Sequence, residues 1–436
     1  MTAHYTTVAA LSHWLTPLVW RQTAHAVRPR RSRRWNLHPL VMVLLLMTWT
    51  AGDSEAERFA TARAFYVAGH QRQRRPGTSL VGFQRALARL PLSVLHVLFA
   101  AVRGRLSDVE RDRRTGGFVV LACDGSRLEC PRSAVLERCL GCCGKPDSAP
   151  MLQVTTLVLL PLGILWSWCV GPGTAGEHDQ LRQLLPSLPR CALLVADAGY
   201  LGYDLYADIR RAGAEFLVRL SSRAYLYTEK RQPLKRYREG PVSYWPTKAR
   251  QAGRPPLCLR LIRVAGRKGK DVWLLTSVRE SARLSRKEAA QLYRWRWRIE
   301  GVYRTYKRTL PKLKLWSRTE ALAYREAEVS LLALQLLLLA GVEPAGSATS
   351  EPAAGSPRRT LLRLRGEIVT TIGVKLGPWQ QRWYKAQLQQ VQGGGPGRKA
   401  RRPWPRRKDH RAPKPPKLRV MSSRLKASAN RRLQAA

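Results

Sequence analysis

Hydrophobic positions divide the chain into a helical first part and a middle part in which strands and helices alternate. An apolar helix is predicted to begin near Leu37, and a second helix covers 54–68. From Gly116 onward, short apolar runs predict strands, and the first run, 118–123, ends directly before Asp124. This order indicates an α/β layer with a mixed sheet.

The same alternation continues through the middle of the chain. A turn at Pro161 and Gly163 separates the two strands predicted within 151–170. A later buried strand ends directly before Asp197. The other predicted elements of this part are strands at 192–196, 215–220 and 272–277 and helices near 179–185 and 203–212.

A basic segment rich in Tyr, Pro and Gly interrupts the alternation at about 221–271. Its short alternating stretches, such as 257–264, predict a small β insertion. Ser285 and Glu288 then form an S-x-x-E capping box, which predicts the start of a helix over about 286–308. Another apolar helix is predicted over 319–340.

These patterns predict five segments. They are a helical N-terminal domain (1–112), an α/β domain (113–343), a linker (344–358), a helical segment (359–392) and a basic tail (393–436). The tail carries fifteen Lys or Arg residues and a single acid, Asp409. Such a segment cannot bury a core, so the tail is predicted to be disordered when free.

The net charge indicates which class of molecule the protein is expected to bind. The chain has 77 Lys and Arg against 29 Asp and Glu, a net charge of +48. Lysines and arginines that neutralise phosphates release counterions, so nucleic acid is the expected partner. A ribosomal, histone-like or merely soluble basic protein is the alternative. The arginines at 28–34 fit a DNA-binding domain and a solvated helical cap equally well.

The cysteine spacing and the hydropathy pattern argue against a zinc-binding, disulfide-stabilised, secreted or membrane-spanning protein. The only cysteine cluster is Cys139, Cys142 and Cys143, and no second C-x-x-C pair or closely spaced His pair follows it. Free thiols are therefore expected rather than zinc or disulfides. No secretion signal is recognisable, and the apolar run 152–170 is broken in its middle. We expect a soluble protein with no membrane partner.

Two aspartates follow predicted buried strands, each before a glycine-containing turn. They stand in Asp124-Gly125-Ser126 and Asp197-Ala198-Gly199. Strand ends in α/β sheets project side chains into shared sites. Taken singly, each aspartate is also compatible with an ordinary turn or helix cap.

A third carboxylate lies among basic residues on the helix that follows the capping box. Tyr293, Arg296, Glu300 and Lys307 fall within an arc of about 60° on a regular helix, flanked by Trp297 and Arg304. The pattern is compatible with a solvated face carrying i,i+4 ion pairs. It also fits a metal-binding Glu whose basic neighbours hold DNA phosphates.

Phosphodiester chemistry explains why such residues belong together. Mg²⁺ prefers a few carboxylate oxygens and keeps other positions for water and substrate phosphate. Two such ions about 4 Å apart can activate the attacking oxygen and stabilise the leaving oxygen. Three carboxylates from separate elements are enough to hold both ions.

The Tyr-x2-Arg-x3-Glu-x6-Lys pattern formed by Tyr293, Arg296, Glu300 and Lys307 resembles the signature of the insertion-sequence-four family of DDE transposases. The resemblance covers about 115–340. It extends to the contexts Cys123-Asp124-Gly125-Ser126, Ala196-Asp197-Ala198-Gly199-Tyr200 and Leu140-Gly141-Cys142.

This resemblance implies a ribonuclease-H-like catalytic domain, a mixed sheet flanked by helices, with a β insertion before the Glu helix. It implies cut-and-paste transposition by a homodimer bound to terminal inverted repeats and target DNA, in the bacterial cytoplasm at the nucleoid. The implied metal ligands and catalytic residues are Asp124, Asp197 and Glu300, holding two Mg²⁺ ions for which Mn²⁺ can substitute. The implied DNA contacts are Tyr293, Arg296, Arg304 and Lys307.

One tryptophan departs from the family pattern. In relatives that flip a base, the stacking Trp lies four residues before the Thr of a Leu-Leu-Thr-Ser strand, which here is Val272. Trp273 is offset by one residue, so it faces the other side of its strand and is predicted to be core. Trp245 is a substitute candidate for the stacking role.

The sequence leaves two alternatives to a transposase. One is a nuclease or domesticated transposase without joining activity, and the other is a non-catalytic DNA-binding protein.

Overall fold

The computed structural model describes most of the chain. The described residues are 12–25, 34–106, 114–141, 143, 147–160, 162–230, 233–234, 236–266, 271–341, 356–373 and 415–435. The predicted linker residues 344–355, the predicted helical residues 374–392 and the tail residues 393–414 lie outside them, as do the arginines at 28–33 and Cys142.

Among the described residues, five helices lie before the first strand, and they include the two that the apolar pattern predicts near Leu37 and at 54–68. They are α1 (Pro17–His25), α2 (Leu37–Trp49), α3 (Glu55–Gly69), α4 (Leu80–Ala88) and α5 (Leu92–Gly104). Helix α3 begins at a complete capping box, in which Ser54 accepts from the Glu57 amide and Glu57 accepts from the Ser54 amide. No single described helix is long and apolar enough to span a bilayer; α4 and α5 pass that test only as a pair bent by 85°.

A ten-stranded mixed sheet forms the centre of the molecule. Its first five strands in sequence are β1 (Val119–Glu129), β2 (Met151–Leu159), β3 (Ile164–Pro172), β4 (Ala192–Ala196) and β5 (Glu215–Arg219). They lie in the order β3-β2-β1-β4-β5. Strands β1, β2 and β3 are antiparallel, whereas β4 is parallel to both β1 and β5.

Three helices accompany these strands. They are α6 (Ala134–Leu140), α7 (Glu177–Leu184) and α8 (Tyr203–Arg211). The turn predicted between β2 and β3 is present, and Gly163 adopts a φ of 67°, a conformation that favours glycine. The predicted strand at 192–196 matches β4 in both bounds.

The predicted β insertion is part of the same sheet. It contains β6 (Tyr225–Thr228), β7 (Glu239–Tyr244), the short helix α9 (Thr247–Gln251) and β8 (Leu257–Val264). Strand β9 (Val272–Thr276) pairs with β5 on one side and β8 on the other. The insertion therefore lengthens the central sheet instead of forming a separate layer.

The helices after β9 join the sheet to the N-terminal helices. They are α10 (Arg286–Trp295), α11 (Trp297–Arg304), a π-helical turn (Thr305–Thr309), α12 (Glu320–Leu339) and α13 (Pro357–Thr371). Helix α12 is buried along most of its length and packs on both β3 and α2. The Trp49 indole donates to the Ala333 carbonyl at 3.2 Å. Both parts of the chain thus share one hydrophobic core.

The prediction of a disordered tail is wrong for residues 415–435. Strand β10 (Lys417–Val420) pairs in parallel with β6, and α14 (Ser423–Gln434) follows. Without β10, the backbone groups of β6 would form an exposed sheet edge. Helix α14 turns Leu425 and Ala429 toward the protein, and all of its cations except the half-buried Arg432 are exposed. Backbone pairing and this narrow apolar stripe outweigh the charge repulsion on which the prediction of disorder rested.

The docking of α14 can be tested by limited proteolysis. Leu425→Asp places a charge on the half-buried face of α14, so we expect the helix to detach and trypsin to cut after Arg424 and Lys426 several-fold faster. Asn430→Asp makes the same charge change on the exposed face and serves as the control. Cleavage is followed over time by mass spectrometry. Equal cleavage rates of the two variants would show that the docking of α14 does not depend on Leu425.

The seven described cysteines are free. Trp273 is buried, which confirms its predicted place in the core. Trp245 is also buried, and its indole donates to the Arg254 carbonyl at 2.8 Å while the guanidinium of Arg432 lies over its ring. Trp245 is therefore not accessible as a platform for a flipped base in this structure.

Candidate functional site

Asp124 lies inside a strand, which corrects the prediction that the strand ends before it. Strand β1 continues to Glu129, and Asp124 pairs with Thr156 of β2. The parallel pairing of β1 with β4 stops earlier, at Ala122. Asp124 therefore lies just beyond the carboxyl end of the parallel pair, although its own strand runs on.

Asp197 follows β4 directly, as predicted. It caps the short 3₁₀ turn Ala198–Tyr200, and its Oδ1 accepts a hydrogen bond from the Gly199 amide at 2.7 Å. Because β1 and β4 are neighbouring parallel strands, their carboxyl ends bring Asp124 and Asp197 to one edge of the sheet.

The pKa of the Asp124 carboxyl differs from its ordinary value. Burial raises the pKa of Asp124 to about 6, against a hydrogen bond from the Gly125 amide and the charge of Arg296, both of which lower it. The nearby carboxylates of Asp197 and Glu177 also raise it. Several negative groups therefore act on the same small region.

Tyr303 fixes the Glu300 helix against the sheet. Its hydroxyl donates to the Asp124 carbonyl at 2.8 Å and receives a hydrogen bond from the Thr156 hydroxyl at 3.0 Å. Tyr303 is one turn beyond Glu300 on α11, so this buried contact sets the position of Glu300 relative to β1. The sequence analysis did not identify Tyr303; its i+3 spacing from Glu300 is the only signal.

Arg296 lies between two of the predicted metal ligands. Its Nη1 is 4.0 Å from Asp124 Oδ2 and its Nη2 is 3.7 Å from Glu300 Oε1. Only 8% of its side chain is exposed, and its Nε has no hydrogen-bond partner. The rings of Tyr293 and Trp297 lie 5.6 and 5.4 Å from the guanidinium carbon.

The four residues predicted to contact DNA differ in their exposure to solvent. Tyr293 and Arg296 are buried, Lys307 is half-buried, and Arg304 is exposed. The stripe assumed one regular helix. The chain instead has a break at Arg296 between α10 and α11, and a π-helical turn contains Lys307. A π-turn holds more residues per turn, so it rotates Lys307 away from the predicted arc.

The described residues contain no group of three acidic, His or Cys side chains placed to hold one metal ion. The structure brings Asp124 near Asp197 and links Asp124 to Glu300 through Arg296, but the three carboxylates do not converge. The predicted residues thus occupy one region without forming a metal-binding arrangement.

Two further residues border this region at the start of α7. A Cβ added to Gly125 would overlap the ends of the Glu177 and Gln153 side chains, so both side chains lie directly against the glycine beside Asp124. His178 Nε2 lies 2.9 Å from the Gly199 carbonyl, within the turn that Asp197 caps. The sequence analysis missed both, although an acidic helix start after a glycine-containing turn was visible in Gly176-Glu177-His178-Asp179.

Part of the sequence matches a described protein family. Residues 150–336 match the family model described as the transposase DDE domain, a stretch that includes Asp197 and Glu300 and begins after Asp124. This match supports a DDE transposase, with transposition of a mobile element as its setting. No curated protein matches the chain in sequence.

A solved structure of a piggyBac transposase synaptic complex with hairpin DNA is similar to the chain. The sequence identity is 11%, the match covers 89% of this chain and 86% of the other, and the TM-score is 0.45. This likeness is too distant to carry an argument about fold or function.

Proposed function

We propose that the chain is a cut-and-paste DNA transposase in which Asp124, Asp197 and Glu300 are the catalytic, metal-binding residues. The observation that carries the proposal is the placement of Asp124 and Asp197 at one sheet edge, with Glu300 joined to Asp124 through Arg296. Two carboxylates from neighbouring strand ends and one from a packed helix can serve as ligands in a two-metal mechanism of phosphodiester transfer.

The sheet supports a ribonuclease-H-like interpretation of the catalytic domain. Three antiparallel strands are followed by two parallel strands in the order β3-β2-β1-β4-β5, and Glu300 lies on a helix packed against β1. The insertion that the family resemblance implies corresponds to β6, β7 and β8, which extend this sheet.

The donors fit a hard divalent cation. Mg²⁺ prefers carboxylate oxygens, and Mn²⁺ accepts the same ligands. The pair Asp124 and Glu300 already holds a positive charge at ion-pair distance, the guanidinium of Arg296. When bound, two such ions supply activation of the attacking oxygen and stabilisation of the leaving oxygen.

The chain's own residues orient these carboxylates. The Gly199 amide holds one oxygen of Asp197, and His178 contacts the carbonyl of the same glycine. Tyr303 ties the Glu300 helix to the backbone of Asp124. These contacts keep the candidate ligands from moving independently.

Double-stranded DNA is the proposed partner, as terminal inverted repeats and as target. Arg304 is exposed one turn beyond Glu300 and is placed to contact a phosphate, with Lys307 beside it. The net charge of +48 favours phosphate binding along a much larger surface. We further propose a homodimer on the DNA, acting at the bacterial nucleoid.

The test is a cleavage and joining assay with the full chain. The substrates are duplexes that carry the inverted repeats bracketing this reading frame, plus a target plasmid, with Mg²⁺, Mn²⁺ or EDTA. We expect metal-dependent cutting at the ends and joined products. Asp197→Asn should remove both, whereas Asp179→Asn, an exposed residue on α7, should not.

The other outcomes separate the alternatives. Cutting without joining would indicate a nuclease or a domesticated transposase. DNA binding without metal-dependent cutting would indicate a non-catalytic DNA-binding protein and would overturn the proposal.

A further inference from the structure

The C-terminal residues 415–435 carry positive charge that no acidic residue balances. Their sequence contains no Asp or Glu, and none of the ion pairs within the described part of the chain involves one of their cations. Four of these cations, which we call the C-terminal basic surface, are exposed side chains on β10 and α14: Lys417, Arg419, Arg424 and Arg431. Their mutual repulsion opposes the docking of both elements, and a bound polyanion would offset it.

On β10, an aromatic ring holds the two cations. Lys417 and Arg419 are two residues apart and therefore lie on one face of the strand. Lys417 Nζ donates to the Tyr225 hydroxyl at 2.9 Å, and the guanidinium carbon of Arg419 lies 4.9 Å from the centre of the same ring. Glu229 adds one negative charge directly after β6. Because a neutral phenol orients both cations without cancelling their charge, they remain available to an anion.

On α14, Arg424 and Arg431 form a second pair of outward charges. Seven residues make about two helical turns, so the two side chains lie on one flank of the helix, about 10 Å apart along its axis. This separation is close to the rise of about three base pairs in a DNA duplex. The half-buried Arg432 anchors the helix, because its guanidinium carbon lies 5.3 Å from the centre of the Trp245 ring.

Helix α14 lies on the same side of the sheet as the two cations of β10. Arg432 donates to the Arg250 carbonyl of α9 at 2.7 Å. The guanidinium carbon of Arg250 lies 5.8 Å from the centre of the Tyr227 ring. Tyr227 is two residues after Tyr225 on β6, so both rings project from one face of that strand. The four cations of the C-terminal basic surface therefore border one side of the sheet.

The same surface adjoins the sheet edge that carries the candidate site. Strand β10 is parallel to β6, and the successive pairings through β7, β8, β9 and β5 give β10 the same direction as β4 and β1. Helix α14 therefore begins at the edge where Asp124 and Asp197 lie. Measured along the sheet, β10 is about 33 Å from β1 at the usual strand spacing, and a duplex covers that length in about ten base pairs.

We infer that the C-terminal basic surface binds the phosphates of duplex DNA about one helical turn of the duplex away from the candidate site, without reading base sequence. This inference rests on the proposed function, since DNA is the partner proposed there. It adds a second surface to the contacts proposed for Arg304 and Lys307. Lys and Arg contacts to phosphates fix the position of a duplex but carry no sequence information.

The test compares two variants of the full chain that each lose two positive charges. Arg424→Gln with Arg431→Gln changes the C-terminal basic surface, whereas Arg132→Gln with Arg211→Gln removes exposed cations that already pair with carboxylates. Binding to a random-sequence duplex of about 40 base pairs is measured by fluorescence anisotropy from about 50 to 200 mM salt. The first variant should lose about tenfold in affinity and about two units of salt slope. The control should change by less than about twofold.

Conservative replacements separate a loss of charge from a loss of structure. Arg424→Lys with Arg431→Lys keeps both charges, so its DNA affinity should stay within about threefold of the wild type. All these substitutions are on the surface, so each variant should melt within about 2 °C of the wild type. If the double Gln variant melts lower, each single Gln substitution is measured instead, with an expected loss of about one unit of salt slope.

Three results would contradict these claims. Wild-type affinity and salt slope in the Gln variants would overturn the inference alone, provided that the wild type still cuts DNA in a metal-dependent reaction. A loss confined to duplexes that carry the inverted repeats would mean that the surface reads sequence, which also overturns the inference. If the wild type neither binds duplex DNA nor cuts it with metal, the proposed function fails together with the inference.

Discussion

Replacing Glu300 with Gln is expected to reduce metal-dependent DNA cleavage by on the order of 10³-fold or more, with DNA affinity changed little. The amide has the shape of the carboxylate but no negative charge, so it can no longer act as the metal ligand that the proposed function assigns to Glu300. The net charge of +48 is expected to supply most of the DNA affinity, and this substitution removes none of the Lys and Arg residues. The measurements are single-turnover cleavage with Mg²⁺ and binding by fluorescence anisotropy.

The matched control is Glu280→Gln. Glu280 lies in an exposed pair with Arg283, away from the candidate site, so its replacement should leave cleavage within about twofold of the wild type, as expected for an exposed pair. Cleavage by Glu300→Gln at the rate of this control would remove Glu300 from the site. A parallel loss of DNA affinity would show that Glu300 acts in binding or folding.

The largest effect on stability is expected at Glu326, on α12. Its carboxylate is buried and accepts hydrogen bonds from Lys312 Nζ at 2.7 Å, from the Ser317 amide at 3.0 Å and from the Ser317 hydroxyl at 2.8 Å. Glu326→Ala leaves the Lys312 ammonium buried without its partner. Removing one member of such a pair costs about 3–5 kcal/mol, to be measured by urea denaturation.

A double-mutant cycle shows whether the pair itself is responsible. Lys312→Met with Glu326→Ala removes both charges, so the double variant should lose less stability than the sum of the two single variants. Recovery should be partial, because the Ser317 amide still loses its acceptor. Simple additivity would mean that Lys312 and Glu326 are not energetically coupled.

The same carboxylate contributes a pH dependence. Burial acts to raise the pKa of Glu326, but the charge of Lys312 and the hydrogen bonds from Lys312 and Ser317 outweigh it, so the pKa lies below its ordinary value of 4.5. A lowered folded-state pKa gives a stabilisation that is complete above the unfolded-state pKa. That stabilisation is lost as the pH falls through the folded-state value. The stability difference between wild type and Glu326→Gln should therefore shrink below about pH 4.5.

Local patterns were sufficient for elements whose bounds depend on neighbouring residues. The run at 192–196 is apolar, buried and bounded by Asp197, and it forms β4 with the predicted bounds. The capping box at Ser285 and Glu288 is present with both hydrogen bonds. Such signals are read within a few residues, where chain order and spatial order agree.

Predictions failed where a distant partner sets the local structure. Asp124 continues in a strand because β2 pairs with it from thirty residues along the chain, and no local pattern contains that pairing. Residues 415–435 are ordered because β6 offers a free edge nearly two hundred residues earlier. In both cases a tertiary hydrogen-bonding partner outweighed the local tendency.

The sequence was sufficient to propose the residues of the candidate site, but not to show how these residues contact one another. The types and spacing of Asp124, Asp197 and Glu300 led to the prediction of metal-dependent phosphodiester chemistry, because carboxylate oxygens are the ligands that Mg²⁺ prefers. The helical projection placed Arg296 on the same face as Glu300 but did not contain the elements that pack on that face. The folded chain buries Arg296 within ion-pair distance of Asp124 and Glu300. Whether a cation faces solvent or its own carboxylates depends on packing between distant elements, so it is set only when the chain has folded.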